Sequence, residues 1–322
     1  MPAASPNLVT PWSVTRSAAA ADERVERWDG RTSPTPWPST YGGDLCVGAL
    51  GALLRTTAAG QEVHSLQVSF LRPGDKDRAV SYEVDRVRDG FRYAHRSVRM
   101  SQGDTEIAVA TASLRAPRDG EEPVSPGGSF ALPTGAALRP PHPELPDPEQ
   151  LPTAAEAIER RGPLDGPSAE RDPYDAYWAT GRDLDTRHID PPLYGETVPQ
   201  RTWSRLWVRF APSTAAQREL VATPAGRTAL IAYIADDTIL EPAGAALGFG
   251  WLAPGMFSTT VQQTIWFHAD FDAADWLLFS QRLVHTTGDH VVCQGELFTP
   301  AGTLVATVVQ EGIVRVRPPE TV

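Results

Sequence analysis

Apolar and polar positions alternate with the period of a β-strand along most of this chain, and two stretches switch to a helical repeat. Residues 63–70, 79–87, 91–100 and 106–114 read as strands, separated by the turn signals Asp89-Gly90 and Gly103-Asp104. Ahead of them, after a short strand at 24–30, residues 41–55 place Leu45, Ala49, Leu53 and Leu54 on one helical face. Gly43, Gly48 and Gly51 would weaken such a helix in water. Their presence predicts that another backbone or a ligand comes close. The same order then returns. A strand at 201–210 precedes a helix that starts at the N-cap residue Thr223, ahead of Pro224, and runs to about Ile239. Strands follow at 259–268, 277–285, 291–298 and 303–316.

The two halves can be laid on each other. Phe70 matches Phe267, 197 residues on, and Val109-Ala110-Thr111 matches Val305-Ala306-Thr307, 196 residues on. A tandem duplication of one long helix wrapped by a curled antiparallel sheet is expected, an α+β double hotdog. Residues 1–116 form the first module and 201–322 the second. Between them, 117–200 reads as a proline-rich linker laid over the surface, with a short helix at 154–161. Carried along the last strand, the offset of 196 sets Gln310 against Leu114. The position is apolar in one copy and polar in the other.

Gln310 sits among Val308, Val309, Ile313 and Val314. A buried amide without partners costs roughly 1–3 kcal/mol. A solvated strand face, a satisfied core glutamine and a functional residue all fit the position. The helix ends differ in the same sense, Leu54-Arg-Thr-Thr57 in the first copy against Ala235-Asp-Asp-Thr238 in the second. The helix dipole and burial both raise the pKa of a carboxyl at a helix C-terminus, toward the range of a general base. Asp236 follows a strongly apolar turn and is the candidate. Asp237 reads as a solvated helix-end acid. Thr260 is unremarkable in a strand by itself.

Bulk properties narrow the function. A formal net charge of −11 argues against a nucleic-acid partner. Cys46 and Cys293 lie in hydrophobic segments and read as reduced, packed thiols. Residues 1–16 lack the apolar run of a signal peptide, and no stretch reaches the roughly 20 apolar residues of a membrane span. A soluble cytoplasmic protein without a membrane partner is expected. There is no Gly-x-Ser-x-Gly elbow, no dinucleotide fingerprint and no metal-ligand spacing among the histidines. Neither a metal nor a cofactor is expected.

The segments 63–75 (VHSLQVSFLRPGD), 232–236 (AYIAD), 265–268 (IWFH) and 309–312 (VQEG) resemble the acyl-CoA thioesterase II family, which folds as a double hotdog. The resemblance implies hydrolysis of acyl-CoA to a fatty acid and coenzyme A. It also implies that an aspartate, a threonine and a glutamine hold and activate the hydrolytic water. Position by position these are Asp236, Thr260 and Gln310. Gly42, Gly43, His64 and Arg72 are the candidate substrate-binding residues. The two glycines open the first helix and offer bare N–H groups to an oxyanion. Arg72, with Arg55, Lys76 and Arg78, is either a source of positive charge for coenzyme A phosphates or one of several solvated surface cations. The chain departs from the family where an Asp-His pair is replaced by Gln262-Gln263, a serine by Ala235, and a glutamine by Asp44. Those departures motivate a second reading, a non-hydrolytic acyl-thioester binding or accessory protein. Association into a homo-oligomer through sheet edges is compatible with either.

Overall fold

A computed structural model describes residues 8–17, 24–116, 145–162 and 168–317. In chain order its elements are α1 (Val9–Trp12), β1 (Thr15–Arg16), β2 (Val25–Gly30), α2 (Gly42–Leu54), β3 (Glu62–Phe70), β4 (Val80–Asp89), β5 (Tyr93–Gln102) and β6 (Thr105–Arg115). Next come α3 (Ala154–Arg161), α4 (Ser168–Thr180), β7 (Leu184–His188), β8 (Trp203–Phe210), α5 (Ala215–Val221), α6 (Pro224–Ala235) and α7 (Glu241–Leu247). The chain closes with β9 (Met256–Phe267), β10 (Leu277–Thr287), β11 (His290–Phe298) and β12 (Leu304–Val316).

The strand alternation is realised as one antiparallel sheet of twelve described strands, in the order β1-β2-β4-β5-β6-β3-β9-β12-β11-β10-β8-β7. Along β4, β5 and β12 buried residues alternate with more exposed ones, so one sheet face carries the core. That core includes α2, which is buried from Gly43 to Leu53, and the second half of α6. Helices apolar on every side need such enclosure, because neither has a polar face to give to water. Strands β2, β4, β5 and β6 contact α2, β9 contacts α6, and β8 and β10–β12 contact α7, while α2 and α6 pack on each other. This is the double hotdog.

The two half-sheets join where β3 pairs with β9, and Gln67 faces Thr264 there. The joint sets the true correspondence between the copies, 197 residues along these strands. Gln263 therefore corresponds to Leu66. Leu66 pairs with Ala112 while Gln263 pairs with Gln310. The expected match of Gln310 to Leu114 is overturned by this register. Its counterpart is Ala112, which is buried and equally apolar.

Several elements were not expected. The second helix is shorter than its periodicity suggested, ending at Ala235, and a separate α7 follows. The stretch expected as a surface linker contains β7, which forms the far edge of the sheet by pairing with β8. The short helix expected at 154–161 is present with a Thr153–Glu156 capping box. Much of the proline-rich run, 117–144, lies outside the described residues. No helix among the described residues is long and apolar enough to cross a membrane.

The glycines of α2 are explained by close approach. A Cβ on Gly48 would lie 2.1 Å from the Tyr82 hydroxyl, and one on Gly51 would lie 2.9 Å from the Trp12 carbonyl oxygen. Tyr82 is fully buried and cannot swing away. Gly48→Ala is therefore expected to lower apparent stability in urea unfolding by about 1–3 kcal/mol, overriding the helix-propensity gain of about 1 kcal/mol.

Candidate active site

The N-terminus of α2 meets the C-terminus of α6, and the candidate residues gather there. The N-cap residue of α2, Tyr41, makes no side-chain capping bond. Its hydroxyl instead donates to the Tyr233 carbonyl of α6 at 2.7 Å. The cap comes from the other module: Asp236, at the C-cap of α6, accepts the Gly43 N–H on Oδ2 at 3.0 Å. Only glycine permits this approach. A Cβ on Gly42 would stand 2.6 Å from Asp236 Oδ2, and one on Gly43 would stand 2.9 Å from the Tyr233 carbonyl oxygen.

The other Asp236 oxygen, Oδ1, accepts from the Thr260 hydroxyl at 3.3 Å. Thr260 in turn accepts from Gln310 Nε2 at 2.8 Å. Asp236, Thr260 and Gln310, which come from α6, β9 and β12, are thus one connected cluster. Gln310 is only 1% exposed, so the solvated-face reading of that strand position is excluded.

Asp236 keeps partial solvent access as a residue, yet loss of hydration dominates its ionisation and pushes its pKa to about 7. The Gly43, Thr260 and Gln310 donors pull it down, and the neighbouring Asp237 pushes it up. Asp237 is not the solvated acid the sequence suggested. It forms an ion pair with Arg182, whose side chain is buried and packs on the Tyr177 ring.

The remaining candidates are dispersed. The Gly43 N–H is not bare as expected, because it holds Asp236. Arg72 follows β3 close behind Phe70, whose ring contacts Gly42, and is exposed with its guanidinium on the Glu106 carbonyl at 2.9 Å. Lys76 donates to the Thr35 carbonyl, and Arg55 lies over the Trp12 and Trp28 rings. His64 is at the opposite end of the helix pair. It lines a cavity of about 390 Å³ with Leu54, Thr228, Phe267 and His268, none of which belongs to the Asp236 cluster.

Two participants were missed by sequence reasoning. Gln263, 1% exposed, donates to Gln310 Oε1 at 2.6 Å. The Cys46 thiol on α2 donates to Gln263 Oε1 at 3.7 Å. The one available signal was that Gln262-Gln263 stood where the family has another pair. Asp44 also went unremarked as a titrating group. It is fully buried, pushed to about 7 by burial, and held by the Ser33 N–H at 2.5 Å.

Comparison with known proteins identifies the family of the chain. A family model described as the acyl-CoA thioesterase C-terminal domain matches residues 140–314, and one described as the acyl-CoA thioesterase N-terminal domain matches residues 33–115. The chain is 25% identical to acyl-CoA thioesterase 2 of Haemophilus influenzae over 286 residues, 89% of this chain and 91% of that one. It is 27% identical to human acyl-coenzyme A thioesterase 8 over 292 residues, covering 90% and 84% of the two chains. The solved tesB protein of Mycobacterium avium subsp. paratuberculosis superposes with a TM-score of 0.67 at 26% identity, covering 96% of this chain and 98% of that one. The C-terminal match alone spans more than half of the sequence, and the chain belongs to the acyl-CoA thioesterase family.

Proposed function

We propose that this thioesterase hydrolyses acyl-CoA with a water held and deprotonated by Asp236, with Thr260 and Gln310 setting the geometry. The observation that carries the reading is the direction of the hydrogen bonds that converge on the carboxylate. Gln310 donates to Thr260, and Thr260 donates to Asp236 Oδ1. A threonine hydroxyl has one hydrogen, so this arrangement commits it to the base. Gln310 Nε2 carries a second hydrogen on the Asp236 side, which a water that itself donates to the carboxylate would accept.

In the proposed step the water oxygen forms a bond to the thioester carbonyl carbon while Asp236 takes the proton. The tetrahedral intermediate collapses with cleavage of the C–S bond. The coenzyme A sulfur leaves with the proton from Asp236, and the acid product retains the new oxygen. With the Gly43 N–H engaged on Asp236, stabilisation of the oxyanion falls to other donors at the start of α2. Arg72, beside this end of the helix pair, is the proposed contact for a coenzyme A phosphate. His64 lies too far along the helices for the reacting end and is proposed only as a wall of the distal cavity.

A panel of acyl-CoAs with a thiol reagent tests the reaction. Asp236→Asn is expected to lower kcat by about 10²–10⁴ on the best substrate. Thiol release unchanged in that variant would remove Asp236 from the mechanism. Bound acyl-CoA with no release at any chain length would make the protein a binding module instead.

The pH dependence has a definite sign. The base must be ionised, so kcat/KM is expected to fall on the acid side through a single-proton limb near 7. A carboxyl raised in the folded state holds its proton where the unfolded chain has released it. Stability from this group is therefore fully present below the unfolded value of 3.8 and is lost as pH rises toward 7. Relative to the parent, Asp236→Asn is expected to gain about 1–3 kcal/mol between pH 5 and pH 8, measured by urea unfolding at both.

A further inference from the structure

We propose that Gln263 is a positioning residue for the hydrolytic step, fixing which end of the Gln310 amide faces Thr260. The proposal rests on the roles given above to Asp236, Thr260 and Gln310.

A glutamine amide can sit in its pocket in two orientations that differ only by exchange of oxygen and nitrogen. In one, Gln310 donates to Thr260, and the threonine hydrogen is free to reach Asp236. In the other, Gln310 presents its oxygen, captures that hydrogen, and takes a donor away from the base. The strand by itself does not choose between them. Gln263 does, because it is the cross-strand partner of Gln310 on the inward face, and its Nε2 donates to Gln310 Oε1 at 2.6 Å. This bond is possible only when the Gln310 oxygen points toward Gln263 and its nitrogen toward Thr260.

The orientation of Gln263 is set in the same way from its other side. The Cys46 thiol lies 3.7 Å from Gln263 Oε1 and donates to it. Sulfur is a poor acceptor, so the reverse orientation, with Nε2 against Cys46, is disfavoured. Cys46, Gln263, Gln310, Thr260 and Asp236 thus form a row in which every group donates to the next and the last is a carboxylate, which can only accept. Such rows polarise cooperatively, and Cys46, Gln263 and Gln310 are at most 1% exposed, where water cannot substitute for a lost donor. The corresponding position in the first module is Leu66, opposite Ala112, and neither carries a polar side chain there.

The test uses the full chain, with substitutions at Gln263 read against Asp236→Asn. Gln263→Met keeps the side-chain length and removes the donor. It is expected to lower kcat by about 10- to 100-fold while KM stays within about 2-fold, the signature of a misplaced group and not of lost binding. Two donors lost or reoriented also raise the Asp236 pKa, so the acid limb of kcat/KM should move to higher pH. The other titratable groups facing Asp236 are Asp237 on its own helix end and Cys46 and Tyr41 on the opposite helix. All three are unchanged in the variants. Gln263→His restores an N–H donor and is expected to recover most of the rate and the original limb. A merely structural role would move the unfolding midpoint without moving the limb.

Should Gln263→Met fail to fold, Gln263→Leu serves in its place, being uncharged, similar in size and without a donor; the same loss is expected, with rescue by histidine. Parental kcat, or an unmoved acid limb, in the donor-free variant with Asp236→Asn inactive overturns this proposal alone. A parental rate in Asp236→Asn overturns the triad and this proposal with it.

Discussion

One hydrogen bond, from the Gly43 N–H to the Asp236 carboxylate, joins the two halves of the molecule at the place where the chemistry is proposed. It solves two problems together. A helix start leaves N–H groups without partners, and the residue at the α2 N-cap has no side chain that caps them. A carboxyl at the end of α6 faces the unfavourable pole of its own helix. Setting the start of one helix against the end of the other lets the first stabilise the charge that the second opposes. The glycines at 42 and 43 follow from that contact, since a side chain at either would occupy the space of Asp236 or of the α6 backbone. The same contact fixes the end of α6, and Tyr41 fastens it again through the Tyr233 carbonyl.

Burial and hydrogen bonding act on Asp236 in opposite directions, and their balance is what suits it to the proposed role. Burial alone would hold the carboxyl neutral and useless as a base. Donors alone would hold it ionised and too weak to take a proton from water. With both present it titrates at about 7. The polar groups are concentrated in the second module. The first has Val63 where the second has Thr260, Ala112 where it has Gln310, and a helix end of Leu54-Arg55 without a carboxylate. A duplicated fold needs the desolvation of such a cluster only once, and the other copy is free to keep an apolar core at the equivalent place.

The fold was legible because its signals are local and repeated. A half-buried antiparallel strand must alternate, and β4, β5, β6 and β12 all do. The helices were legible as existing and less so in length: Ile239 lies beyond α6 because the chain turns at Asp236, and an apolar run cannot record that turn. β7 was hidden because a five-residue edge strand inside a proline-rich stretch makes little pattern of its own. The match of Gln310 to Leu114 failed for a different reason. It relied on three small common residues, whereas register is set by backbone pairing, and bulges shift it within β3–β6 and β9–β12. Asp237 was misread because its partner Arg182 lies 55 residues away in sequence. Gln263 escaped for the same reason: its proposed role depends on Gln310, 47 residues on.

Among the described residues, Asp44 and Asp236 are both pushed to about 7, and only Asp236 is proposed as the base. The distinction cannot come from pKa, which is the same for both, so it must come from surroundings. Asp44 is fully enclosed, is held by the Ser33 N–H and side chain, and leaves Oδ1 without a partner. No row of donors ends on it. Asp236 has a donor on each oxygen, keeps some solvent access, and lies where two helix ends and two strands converge. A general base needs access to water, and of the two only Asp236 keeps any solvent exposure. Asp44 opposes folding as it ionises without a matching arrangement for catalysis. Above neutral pH, then, the fold carries two unfavourable ionisations at the start of one helix. It tolerates them because α2 is enclosed by the sheet and by α6, so that packing and not capping holds that helix in place.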